Sequence, residues 1–210
     1  MKEHWIVDEP SGQAKASLIL AHGAGAAMDT PFMDSLARAM AQGGVRVIRF
    51  EFPYMQQRRQ DGRLRPPDRP PKLLAAWKEA IEDARAEFPS QPLFIGGKSM
   101  GGRIASMVAD EFRVTGLICL GYPFHPPGRP QNLRTEHLED LTTPTLILQG
   151  ERDPFGKPEE IAGYTLSDAI SVEYLPDGDH SFKPRKSSGH TLDENINTSI
   201  GKMREFIDGN

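Results

Sequence analysis

Short apolar runs alternate regularly with amphipathic stretches along this chain. The runs fall at 16–21, 45–52, 93–97, 116–121, 145–149 and 172–175, and most are flanked by Gly or Pro. Short, unbroken apolarity between turn residues is how strands buried on both faces read. Between the runs, Phe32, Leu36, Ala39 and Met40 share a helical face, with Thr30 as N-cap and Pro31 at the first helical position. Leu74, Trp77, Ile81, Ala84 and Phe88 make a second helical stripe, and Ile104, Ala105, Val108 and Phe112 a third. Ile196, Ile200, Met203 and Ile207 make a last one, with Thr191 and Glu194 spaced as a capping box upstream. Strands that alternate with helices predict an α/β fold, a mainly parallel sheet flanked by helices. With 210 residues, no internal repeat and no linker, the expectation is a single domain over 1–210 with one active site.

One segment breaks the rhythm. Residues 56–71, QQRRQDGRLRPPDRPP, are rich in Pro and Arg and are expected to form a loop after the strand over 45–52. The 25 basic and 29 acidic residues leave a net charge of −4, which disfavours a dedicated nucleic-acid binder. Cys119 sits in an apolar run and reads as a small buried hydrophobe. The first residues, MKEHWIVDEP, carry no apolar signal core, and no run is long enough to span a bilayer. A cytoplasmic protein without membrane attachment is expected.

The chemistry concentrates at GGKSMGGR, residues 96–103. Small residues flank Ser99 between an apolar run and a helical stripe. Two readings compete: a tight structural turn, or a G-x-S-x-G elbow that holds a serine out above the sheet as a nucleophile. A Walker phosphate loop is disfavoured, because Pro92 stands where its first glycine belongs. A hydroxyl needs a base, and the base needs an orienting acid. QGERDPFG places Asp153 just past one apolar run, and LPDGDHSF places His180 just past the next. Loops after parallel strands gather on one sheet edge, so Ser99, Asp153 and His180 can converge. His190 lies among polar residues, His125 and His137 precede Asp153, and Asp177 and Asp179 read as turn residues.

An oxyanion hole completes such a site. LILAHGAGA supplies a small-residue loop after the first strand, and the backbone N–H groups of Ala24 and Met100 are the expected donors, with Gly25 as the substitute. His22 is expected to fix that loop by hydrogen bonding. In 56–72, Arg58, Arg59, Arg63, Arg65, Arg69 and Lys72 outnumber Asp61 and Asp68. This is either a solvated basic loop or, through Arg58 and Arg59, a feature that attracts an anionic substrate.

HGAG, GKSMG, GERD and the late DGDH occur in the order of the α/β-hydrolase superfamily, which the sequence resembles over most of its length. FEFPYM, the Arg/Pro-rich segment and GGKSMGGR resemble a group of small hydrolases that includes a testis-expressed protein and the hydrolase-like domain of a chromatin-complex subunit. The chain is also similar in size and plan to dienelactone hydrolases, which carry cysteine where Ser99 stands. Dehalogenases and epoxide hydrolases of this fold carry aspartate there. The resemblance implies Ser99 as nucleophile, Asp153 as acid and His180 as base, with no metal or organic cofactor. The stretch FHPPGRPQNLRTEHLEDL is too short and Pro-rich for a helical cap domain, so an open site is expected. The expected function is a serine hydrolase of the carboxylesterase kind, acting on a small ester or thioester, with an anionic ester as one option. A regulatory module with a little-used triad is the alternative.

Overall fold

The structure, a computed structural model, describes residues 4–210. In chain order its elements are β1 (Ile6–Asp8), β2 (Ala16–Ala21), α1 (Pro31–Gln42), β3 (Val45–Phe50), α2 (Pro53–Asp61) and α3 (Pro70–Glu87). They continue with β4 (Leu93–Lys98), α4 (Met100–Ser106), α5 (Ala109–Phe112), β5 (Gly116–Leu120), β6 (Thr145–Gly150), α6 (Pro158–Ile161), β7 (Ile170–Leu175) and α7 (Leu192–Asp208). The strands form one sheet in the order β1-β3-β2-β4-β5-β6-β7, in which only β1 runs antiparallel. β2 and β4, at the centre, are apolar because both faces are covered.

Each face has its own core. On one, Trp77, Ile81 and Ala84 of α3 and Ile104 and Ala105 of α4 pack on Ile19, Ile95 and Leu117. On the other, Leu36 and Met40 of α1 and Met203 and Ile207 of α7 pack on Leu18, Leu20, Ile118 and Leu148. The caps read from the sequence are formed: the Thr30 side chain accepts from the Met33 N–H, and Thr191 and Glu194 close a capping box on α7. Cys119 is buried and pairs with no other cysteine.

The expected loop over 56–71 is a correction. Residues 53–61 are helical, and only 62–69 are irregular. Proline breaks a helix in its interior, but Pro53 stands at the first position, where its fixed φ suits the turn. The Gln and Arg residues that follow are good helix formers. Gly62, at φ 71°, ends the helix, and Pro70 and Pro71 then start the next. The helix expected after Ser99 is broken at Met107 and Val108 into α4 and α5. Between β5 and β6 the chain makes only a 3-10 turn over Glu136–Leu138, so no cap domain covers the sheet edge. Among the described residues no helix is long and apolar enough to cross a membrane.

Candidate active site

The register of the sheet decides where the elbow lies. Ala21, the last residue of β2, pairs with Gly97 of β4, so residues 22–25 leave the sheet beside Lys98 and Ser99. The bend at Ser99 is sharp: φ is 52° and ψ −115°, a conformation that costs a non-glycine residue about 1–3 kcal/mol. The Ser99 N–H donates to Leu120 O at 3.0 Å, and the buried Trp77 indole donates to Gly101 O at 3.2 Å. Both bonds hold the turn from behind. Gly101 is obligatory here, because a Cβ would lie 2.6 Å from the carbonyl oxygens of both Ala21 and His22.

Ser99, Asp153 and His180 converge. Asp153 follows β6 and is fully buried; one carboxylate oxygen accepts from the Phe155 N–H at 2.9 Å, and the other lies 2.7 Å from His180 Nδ1. A carboxylate only accepts, so Nδ1 carries the proton and Nε2 offers its lone pair. That nitrogen lies 2.9 Å from Ser99 Oγ. The imidazole has two further supports. The Phe155 ring packs on it at 4.3 Å between centroids, and Lys98 Nζ donates to the His180 carbonyl at 2.6 Å. Burial pushes the Lys98 ammonium down to about 8, against the pull of the Asp153 and Asp179 carboxylates. Gly121, at φ 68°, leaves room for this contact: a Cβ there would stand 2.9 Å from Lys98 Nζ and 3.3 Å from His180 Nδ1.

The small-residue loop is fixed from below by His22. Its Nε2 accepts from the Phe52 N–H at 3.1 Å, so Nδ1 is the donor to Gly23 O at 2.7 Å. Burial keeps this imidazole below its ordinary proton affinity, as a neutral strut requires. The Tyr54 hydroxyl donates to Ala24 O at 2.9 Å and so orients the next peptide. Gly23 faces the nucleophile: a Cβ added there would lie 3.7 Å from Ser99 Cβ. Met100 opens α4, where an N–H has no acceptor inside its own helix.

The family described as alpha/beta hydrolase domain matches residues 14–208. The chain belongs to that family. Solved structures share the fold of this hydrolase domain at low identity. Dienelactone hydrolase from Anabaena variabilis aligns with a TM-score of 0.74 at 20% identity, over 98% of this chain and 90% of that one. Est1E from Butyrivibrio proteoclasticus, in a structure with ferulic acid bound, aligns at 0.72 and 16%, over 97% and 95%. XC6422 from Xanthomonas campestris, described as an α/β serine hydrolase without lid, aligns at 0.69 and 20%, over 98% and 86%.

The competing residues of the hydrolase domain are occupied elsewhere. His190 is exposed, His125 Nδ1 bonds to Pro126 O at 2.9 Å, and His137 Nε2 lies 2.8 Å from Ser106 Oγ. Asp177 pairs with Arg185 at 2.5 Å and Arg152 at 3.0 Å, and bonding to Arg185 holds its carboxyl at about 2. Asp179 Oδ1 accepts from the Ser181 and Lys183 N–H groups, as a turn residue does. Gly25, Arg58 and Arg59 line one cleft of about 300 Å³ with Ala26, Ala27 and Met55. Arg59 is not a free cation in it. It grips the buried Glu51 through two bonds of 2.7 Å and also pairs with Asp29 at 2.7 Å. Arg65 with Asp61 and Lys72 with Asp68 cancel more of the segment's charge. Sequence reasoning missed Lys98 and Phe155; their positions, next to Ser99 and two residues beyond Asp153, were the available signal.

Proposed function

We propose that the protein is a serine hydrolase that cleaves a carboxylic ester or thioester through an acyl-enzyme. The observation that carries the reading is the relay from Asp153 through His180 to Ser99, at 2.7 and 2.9 Å, at a strained elbow. Ser99 Oγ attacks the substrate carbonyl as His180 Nε2 takes its proton. The carbonyl oxygen, now anionic, is received by the N–H groups of Ala24 and Met100, with Gly25 as the substitute donor. The tetrahedral adduct collapses, His180 returns the proton to the departing alcohol or thiol, and Ser99 keeps the acyl group. Water then attacks the acyl carbon, His180 taking its proton and passing it to Ser99 as the free acid leaves. Asp153 holds His180 in the required tautomer and stabilises its protonated form. The route needs no metal or organic cofactor. The finer likeness to the small hydrolases with GGKSMGGR and FEFPYM belongs to this reading, as does a small, soluble ester substrate for the uncapped site. Arg58, in the cleft beside Gly25, is the remaining candidate there for a substrate contact.

The test is a panel of 4-nitrophenyl esters of increasing acyl length and matching thioesters, assayed with wild type and Ser99→Ala. Hydrolysis by wild type that disappears in the variant supports the reading. Folded wild type inert on every member, or equal rates for both proteins, contradicts it.

A further inference from the structure

Two clefts meet along α2. The first, of about 300 Å³, runs from Gly25 past Ala26 and Ala27 to Met55, Arg58 and Arg59. The second, of about 410 Å³, is bounded by Trp5, Ile6 and Met28 and by Gln56, Arg59 and Gln60. With about 100° between successive helix residues, Met55, Arg58 and Arg59 share one face of α2, and Gln56 and Gln60 lie on the next. Arg59 stands where those faces join, and among the described residues it is the one common to both clefts. The loop crosses from one cleft to the other at the same place, between Ala27 and Met28.

The Arg59 guanidinium is fixed at this boundary. It donates twice to Glu51 at 2.7 Å and pairs with Asp29 of the loop at 2.7 Å, so one side chain bridges helix, strand end and loop. Glu51 also accepts from the Met28 N–H at 3.3 Å, which ties the loop at its crossing point. The Glu51 side chain is 2% exposed and that of Arg59 43%, so the clamp spans open space between the clefts and is not a strut inside the core. The first cleft begins at the nucleophile. Gly23 adjoins Ser99, and Gly25, two residues on, lies at most about 7 Å from Gly23. A Cβ on Gly25 would meet nothing within 4 Å, so the cleft is open at that end. Its walls at Ala26, Ala27 and Met55 are apolar, as are those of the second cleft at Trp5, Ile6 and Met28.

We infer that Arg59 sets the acyl-chain length of the substrate. The acyl chain lies against Ala26, Ala27 and Met55 and stops at the clamped Arg59 side chain. This rests on the serine-hydrolase reading and names its substrate class: esters or thioesters of short-chain acids. Arg59 serves here as a wall and not as a charge, since Glu51 and Asp29 already neutralise it. Without that side chain the two clefts become one apolar groove that continues past Met28 toward Ile6 and Trp5, with room for a longer acid.

The experiment measures kcat/KM for 4-nitrophenyl acetate, butyrate, hexanoate, octanoate and decanoate. The proteins are wild type, Arg59→Ala, Arg59→Lys and the double variant Arg59→Ala with Glu51→Gln, which leaves no buried charge unpaired and carries the comparison if the single variant fails to fold. Wild type should peak at butyrate or hexanoate and fall at decanoate. In Arg59→Ala and the double variant, decanoate should gain on butyrate by about fourfold per methylene newly buried, and so roughly tenfold or more over two. Arg59→Lys, which keeps the charge and much of the length, should stay close to the wild-type profile. Equal losses at every chain length, as a purely structural clamp would give, or a wild type that takes decanoate as well as butyrate, overturns the inference, while turnover that depends on Ser99 still supports the hydrolase. If folded wild type turns over no ester, free decanoate is titrated against tryptophan fluorescence instead. The other tryptophan, Trp77, is shut in the core, so the change reads Trp5 in the second cleft. A larger change in Arg59→Ala than in wild type supports the wall alone, and equal changes overturn it.

Discussion

Replacing Lys98 with Met removes the ammonium that holds the backbone of His180 while keeping the apolar stem of the side chain. The bond lost is a charged donor on a carbonyl at 2.6 Å in a half-buried setting, of a kind worth about 1.5–3 kcal/mol. If that energy serves to keep Nε2 on Ser99 Oγ during proton transfer, kcat falls about ten- to a hundredfold, because 1.4 kcal/mol is a factor of about ten. KM, which reports contacts that Lys98 does not make, should move little. The pH profile adds a readout that mere packing would leave alone. The ammonium sits at about 8, lowered by burial and partly restored by Asp153 and Asp179; the Phe182 ring, 5.9 Å away, completes its surroundings. It is charged below that value and neutral above, so wild-type kcat should decline as pH rises through about 8. Lys98→Met should lack that alkaline limb, and Lys98→Arg, which stays charged, should restore activity at high pH. The assay is steady-state hydrolysis of a neutral 4-nitrophenyl ester from about pH 6 to about pH 10, spanning the ordinary histidine and lysine ranges. A Met variant within about twofold of wild type, together with a flat wild-type profile above about pH 8, would show that Lys98 does not position His180.

Asp153→Asn should leave the fold intact and lower kcat by about three to four orders of magnitude, measured with the same ester, because an amide cannot hold the Nδ1–H tautomer. Asp177→Asn should change kcat less than about threefold and lower the melting temperature instead, since it loses Arg185 and Arg152. Its depressed carboxyl also sets a sign: the Asp177 contribution to stability is present above about pH 4 and is lost as pH falls through about 2. Gly101→Ala places a methyl 2.6 Å from two carbonyl oxygens and should cost about 1–3 kcal/mol by denaturant titration, with activity falling as the elbow shifts. Arg59→Ala strips the buried Glu51 of its bidentate partner, and a lower melting temperature with a smaller change in kcat is expected.

The parallel core is legible because strands buried on both faces are short, continuously apolar and bounded by turn residues. β1 is not, since three half-buried residues carry no period. α2 escapes a reading that weighs Pro and Arg density together; position decides, and the prolines that would break a helix fall outside residues 54–61. The positions of Ser99, Asp153 and His180 follow from strand ends, where sequence order fixes which loops share an edge. The supports of His180 do not follow. Lys98 and Phe155 look like an ordinary lysine and phenylalanine until the sheet order sets β4 beside β5 and β5 beside β6. Charge is the least legible property. Arg58 and Arg59 stand out by density, yet Arg59 is neutralised by Glu51 and Asp29, carboxylates that lie 8 and 30 residues before it and that only the fold brings to it.

Ester or thioester hydrolysis by this site requires Ser99 to be a nucleophile activated by His180. Incubation with a fluorophosphonate, followed by intact mass and peptide mapping, reads this without knowledge of the natural substrate. One phosphonyl adduct is expected on the peptide containing Ser99, absent from Ser99→Ala and formed far more slowly in Asp153→Asn. Folded wild-type protein that takes no label, or takes it on another residue, would contradict this role of Ser99.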